Sequence, residues 1–295
     1  MRRVLHVSGP CRCGLLAVAL GLCLGFGPAA AQQGGGARPF EALKKRLVAD
    51  GFAAEAVERI YARPEVFVEA DGVARFFLHS EAKLNYDQFT TPESIARARA
   101  YLAAHAELLA RTEEVFGVER EVITAILLVE SRLGTVTGGR SALNILSTLG
   151  ALTDPAFQEE FFRILPPERR ISRERYLERV QKRAEWGYRE LKALLRYAER
   201  EGIDPAAIPA SYAGAVGFAQ FMPTNILAYG EDGDGDGRVD LFDHADAVAS
   251  IANYLRRHGW RPGGDRERRE KAIYAYNPSS YYVNAILAVA ERLRN

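Results

Sequence analysis

The strongest chemical candidate in the chain is a carboxylate in an unexpected place. In the stretch Ile123–Gly134, ITAILLVESRLG, six of the seven residues that precede Glu130 are apolar. Ile123, Ile126, Leu127 and Glu130 recur at the spacing of one helix face, so Glu130 prolongs a stripe that ought to point into a core. Its neighbours Val122, Ala125, Leu128 and Val129 are apolar as well. Ionising a carboxyl there is costly, and the negative end of a helix dipole adds to the cost. Its pKa is therefore expected to rise toward the range of a general acid. The structural alternative is a helix-end glutamate that leans into solvent or pairs with Arg132.

Two other stretches carry chemistry. In SYAGAVGFAQFMPT, Ser211–Thr224, small residues allow a ligand to approach the backbone, and Tyr212, Phe218 and Phe221 offer flat apolar faces of the kind that suit sugar rings. The same small residues also suit tight helix packing. In DGDGDGRVDLFD, Asp232–Asp243, the aspartates at positions 1, 3 and 5, Gly237 at 6, Asp240 at 9 and Asp243 at 12 match the spacing of an EF-hand-like calcium loop. Asp232, Asp234 and Asp236 would give carboxylates and Arg238 its carbonyl. The alternative is an acidic surface turn. The five histidines show no zinc spacing, and neither a P-loop nor a Gly-x-Ser-x-Gly elbow occurs.

Positioning these residues falls mainly to helices. Helical patterns with caps or breakers are expected over 40–49, 53–62, 91–116, 118–130, 142–152, 156–165, 172–201, 223–229, 245–258 and 280–294. Thr91-Pro92 and Asp154-Pro155 read as cap and first-turn proline, and Gly117 and Gly202 as stops. Residues 66–89 show no helical period and are expected to be extended or looped. Almost nothing alternates with period two, so the fold class is mainly α with at most a small irregular or β element.

Residues 1–31 read as a secretory signal: Arg2 and Arg3, an apolar run from Leu15 to Leu24, then Ala29-Ala30-Ala31 before Gln32. Cleavage after Ala31 is favoured over a lipoprotein anchor at Cys23, because leucine rather than a small residue precedes that cysteine. All three cysteines lie in this segment, so the mature chain would use neither disulfides nor thiolate chemistry. Its loss removes Arg2, Arg3 and Arg12 and no acid, which turns the formal charge of +1 into −2 and gives no electrostatic case for nucleic acid. Residues 32–37 read as a flexible leader and 38–295 as one folded domain.

Taken in order, VESRLG, SYAGAVGFAQFMPT and AYNPSSYY strongly resemble the family of membrane-bound lytic transglycosylase B, lytic murein transglycosylases with a lysozyme-like helical domain. The resemblance runs from about Val118 to Tyr282. It implies that Glu130 is the sole catalytic acid/base, that Ser211 and Gln220 belong to the sugar site, and that Tyr276 and Asn277 form a pair beside the scissile bond. On the residues alone, Ser211 could be a helix cap, Gln220 a surface amide and Tyr276 a core ring. The resemblance also implies a longer acidic loop that closes at Asp246 instead of Asp243, and a structural metal, calcium, with no cofactor for catalysis. The implied activity is non-hydrolytic cleavage of the β-1,4 bond between N-acetylmuramic acid and N-acetylglucosamine in periplasmic peptidoglycan, with 1,6-anhydro ends. The expected partners are glycan strands and other cell-wall enzymes, and the protein is expected to be a monomer. Asp154, Glu159 and Glu160 stay open as a second acid. The contrasting expectation is a calcium-braced, catalytically silent peptidoglycan-binding protein.

Overall fold

The computed structural model describes residues 39–79 and 84–295, so the expected signal segment (1–31) and leader (32–37) lie outside the described residues. The chain opens with three short helices, α1 (Glu41–Ala49), α2 (Ala54–Tyr61) and α3 (Ala70–Leu78). Then come α4 (Pro92–Ala104), α5 (Ala106–Phe116), α6 (Arg120–Ser131), α7 (Ala142–Ala151), α8 (Pro155–Ile164) and the long α9 (Arg173–Glu201). The chain finishes with α10 (Pro223–Tyr229), α11 (His244–Arg257), α12 (Arg266–Tyr276) and α13 (Ser280–Arg294). A two-stranded antiparallel sheet, β1 (Arg140–Ser141) with β2 (Pro209–Ala210), is the only sheet among the described residues. The fold is therefore mainly α, as expected.

Two helices make the centre. Every residue of α7 is buried, and so is the run Val122–Leu128 of α6. A helix apolar on all sides must be wrapped by others. Helix α9 packs along α7, and α13 packs along α6. The approach of α7 to α9 is close because Gly187 has no side chain: a Cβ there would lie 2.4 Å from the Cβ of Leu149. At the edge, Glu119 gathers the last elements by accepting from the Trp260 indole at 2.8 Å and pairing with Arg269 at 2.7 Å. Among the described residues no helix is long and apolar enough to cross a membrane.

Three expectations about elements need correction. Residues 66–89 contain α3, started by Glu69, whose carboxylate accepts from the Gly72 N–H. Val73, Ala74, Phe76 and Phe77 are buried while Asp71 and Arg75 pair on its other face, but at nine residues the helix spans too few turns for its period to stand out. The span 91–116 is two helices, because the backbone breaks from helical geometry at His105 (φ −113°, ψ 27°), whose ring packs between Tyr101 and His244. Helix α12 was absent from the expectation. Only Ala272 and Ile273 are buried in it, and it relies on the Asp265 cap and on i, i+4 pairs such as Arg266–Glu270.

Candidate active site

Glu130 is the penultimate residue of α6. Beyond it, Arg132 (φ 51°) and Leu133 (φ 62°) both adopt the left-handed backbone conformation, at a cost of about 1–3 kcal/mol each for residues with side chains. Buried Ser131 holds this turn: its hydroxyl donates to the Leu127 carbonyl at 3.3 Å and accepts from the Gly134 N–H at 3.0 Å. The chain thus turns off sharply, and the apolar helix delivers one half-buried carboxylate at its open end. Arg132 is turned elsewhere and donates to Gln88 at 3.0 Å.

Glu130 lies in a cleft of about 720 Å³. Its walls come from five parts of the chain: the lining residues of 76–79 and 84–89, the end of α6, the middle of α9, residues 211–222, and 277–282. Glu130 is the only acidic residue among the described residues that line it. Asp154 instead caps α8, accepting from Ala156, Glu159 pairs with Arg173, and Glu160 also lies outside the lining.

Tyr282, from α13, donates its hydroxyl to Glu130 Oε1 at 2.6 Å. Burial first, and then the charge of Glu130, push the Tyr282 phenol well above its ordinary pKa, so it remains a donor. Tyr276 stands outside the lining. Its ring stacks on Tyr282 at 6.3 Å with 8° between planes, and its hydroxyl donates to the Ala219 carbonyl at 2.5 Å. Tyr282 belongs to the stretch AYNPSSYY but was not singled out as a site residue. Sequence shows which tyrosines are present, whereas helix phase in α13 decides which one meets Glu130.

Ser211, Gln220 and Asn277 all line the cleft. The Ser211 hydroxyl oxygen accepts from Ala215 N–H at 3.2 Å, and its own proton is not used in that bond. Gln220 stands in the left-handed region (φ 48°) and donates its amide to the Gly217 carbonyl at 2.8 Å, which turns its carbonyl oxygen toward other uses. The turn that carries it is closed by the Val216–Phe221 bridge and lies on Leu241: Phe218 N–H donates to the Leu241 carbonyl at 2.8 Å. Gly217 (φ 73°) is required there, since a Cβ would lie 2.4 Å from that of Leu241.

Of the three flat faces expected around the cleft, only Tyr212 reaches it. Phe221 is buried against Tyr254 and Tyr276, and Phe218 packs on His244. Phe76, Tyr86, Phe89 and Trp186 take their place. Arg183, also from α9, brings a positive charge and lies 3.8 Å over the Phe76 ring. The sequence does not reveal either α9 residue, because a charged amphipathic helix gives no sign of which exposed residues face a cleft.

The acidic loop is a separate centre. Carboxylate oxygens of Asp232, Asp234 and Asp246 lie within 4.8 Å of one another, a hard all-oxygen donor set that fits a calcium-like cation. Asp232 also accepts from the N–H groups of Gly237, Gly235 and Asp236, which hold its carboxyl below the usual range. Asp246 is 2% exposed and accepts from Gly233 at 2.7 Å and Asp240 at 2.6 Å. Burial raises its pKa, and the charge of Asp234 adds to that. The carboxylates of Asp243 and Asp236 are not in this cluster: Asp243 caps α11 by accepting from Ala245 N–H at 2.6 Å, and Asp236 accepts from the Arg238 N–H at 2.8 Å.

The sequence profile of the family described as Transglycosylase SLT domain matches residues 36–270. The chain belongs to that family. It is 32% identical over 176 residues to membrane-bound lytic murein transglycosylase B of Escherichia coli K12, a stretch that covers 60% of this chain and 41% of that relative. Among solved structures, soluble lytic transglycosylase SltB1 of Pseudomonas aeruginosa superposes with a TM-score of 0.68 at 24% identity, over 85% of this chain and 97% of that one. E. coli Slt35 in complex with calcium gives 0.64 at 22% identity, over 87% and 92%. The family member described above thus has the lysozyme-like helical fold of lytic transglycosylases.

Proposed function

We propose that this chain is a peptidoglycan lytic transglycosylase, cleaving the β-1,4 bond between N-acetylmuramic acid and N-acetylglucosamine without water. The observation that carries the reading is a cleft with one acidic side chain, Glu130, among the described residues that line it. Ordinary glycosidases use two carboxylates, one as acid and one as nucleophile or base. A single carboxyl suffices if the substrate supplies the nucleophile. Glu130 donates its proton to the departing glycosidic oxygen. As a carboxylate it then takes the proton of the muramic C6 hydroxyl while that oxygen attacks the anomeric carbon, which forms the 1,6-anhydro ring. The Tyr282 hydroxyl, 2.6 Å from Oε1, orients the carboxyl group and stabilises the carboxylate between the two steps.

Ser211, Gln220 and Asn277 supply neutral hydrogen-bonding groups for a sugar, and Trp186 and Tyr212 supply flat faces. Tyr276 acts on the site through its stacking on Tyr282 and its bond to the turn at Ala219. Asp232, Asp234 and Asp246 would hold calcium, which would offset their mutual repulsion and brace the loop 232–246; the calcium complex of Slt35 supports this. Residues 38–295 form the catalytic unit, and the first 31 residues export it to the periplasm, in keeping with the envelope enzyme it resembles.

The test is mass analysis of the products formed from purified murein. Anhydro-muramic ends are expected. Hydrated ends would make the protein a lysozyme-type hydrolase, and an absence of products from folded protein that binds murein would make it a silent binding protein.

A further inference from the structure

Glu190 is a buried carboxylate to which the proposed mechanism gives no part. It lies in the middle of α9, 4% exposed, and both its oxygens are engaged by one residue: Oε2 accepts from Thr224 N–H and Oε1 from the Thr224 hydroxyl, each at 2.9 Å. Thr224 is in the first turn of α10, whose cap residue Met222 supplies no side-chain cap. The Thr224 N–H, one of the donors at the start of this helix, is thus met from another helix. Burial of the carboxylate is offset by these two bonds.

The location gives the contact a consequence. One and two turns before Glu190 on the same helix, Trp186 and Arg183 form a wall of the cleft. Just before Thr224, Met222 and Gln220 form another. Glu190 therefore ties the segment that carries Gln220 and Met222 to the helix that carries Trp186 and Arg183. The same segment is held from a second side by Tyr276 at Ala219 and from a third by Leu241 at Phe218. Gln220 needs such support, because its left-handed backbone persists only where the surroundings fix it.

Resting on the lytic transglycosylase reading, we infer that Glu190 is a positioning residue that sets the spacing between the α9 wall and the Gln220–Met222 wall, and with it the grip on the sugar. Leucine at this position would fill the space and lose both bonds. Glutamine would keep both: its amide oxygen accepts from Thr224 N–H while its NH₂ donates to the Thr224 hydroxyl. A purely structural role would lower stability and leave the folded enzyme with unchanged affinity.

The experiment measures, by calorimetry, the dissociation constant of a soluble murein tetrasaccharide with peptide stems. Three proteins that bind without turning over are compared: Glu130→Gln, Glu130→Gln with Glu190→Leu, and Glu130→Gln with Glu190→Gln. Circular dichroism sets a temperature at which all are folded. A displaced site typically loses about tenfold or more, so Glu190→Leu is expected to weaken binding by about tenfold while Glu190→Gln restores it. If the Leu variant does not fold, Thr224→Val, which replaces the hydroxyl with a methyl group and keeps the Thr224 N–H bond, serves instead and is expected to weaken binding by about threefold. Equal affinity of a folded Leu or Val variant and its parent overturns the inference. Failure of the Glu130→Gln parent to bind overturns the underlying reading as well, and is told apart because it appears before Glu190 is changed.

Discussion

The cleft around Glu130 and the loop around Asp232 are both built on carboxylates, but by opposite means. Among the described residues that line it, the cleft holds a single half-buried acid, with walls from five distant stretches of chain. The loop crowds acids into one short stretch and closes with Asp246 from the first turn of α11. A single carboxyl suits proton transfer, because one group must both give and take the proton. Crowding is unfavourable unless a cation offsets it. The two regions meet where Leu241, at the loop's exit, accepts from Phe218 in the turn that carries Gln220.

If this division of labour holds, the largest effect comes from removing the cleft's acid. Glu130→Gln should cost at least about 10²–10⁴-fold in turnover of murein, with melting temperature and murein binding retained. Appreciable turnover by the purified variant would end the one-acid scheme. Tyr282→Phe removes the hydroxyl from Oε1 and should lower kcat about tenfold, equivalent to about 1.4 kcal/mol of transition-state stabilisation, with KM nearly unchanged. A change confined to KM would show that the tyrosine holds substrate rather than the acid.

The loop should answer to calcium and not to changes in the acid. Calcium at a hundredfold its dissociation constant should stabilise the fold by about 2.7 kcal/mol, read as a raised melting temperature that Asp232→Ala no longer shows. Turnover per folded molecule should persist in chelator; its full loss would merge the two regions into one unit. Within the loop, Asp246→Asn should abolish the calcium response. Asp243→Ala should keep it and cost only the α11 cap, about 1 kcal/mol.

The smallest effect concerns pH. Burial raises the pKa of Glu190 in the folded state, so the native protein holds this proton more tightly than the unfolded chain does. The stability from that group is fully present below the ordinary carboxylate range and is lost as pH rises through it toward the folded value. Glu190→Gln should therefore flatten the fall of melting temperature over that interval, and an unchanged slope would mean that the carboxylate is no harder to ionise folded than unfolded.

Whatever depends on neighbours in the chain was set by the sequence itself. The apolar run that buries α6 and ends in Glu130, the caps at Thr91, Asp154 and Ser172, and the aspartates of the acidic loop are all local patterns. Each depends on helix period or on turn chemistry within a few residues. The tertiary structure decided what depends on residues far apart. It alone places Tyr282 on Glu130 across 152 positions, brings Trp186 and Arg183 into the cleft, withdraws Phe218 and Phe221 from it, and chooses Asp246 over Asp243 for the acidic cluster. Helix phase and packing fix those choices, because a rotation of one residue about a helix turns a side chain by about 100°, and only the contacts of the whole fold select the rotation.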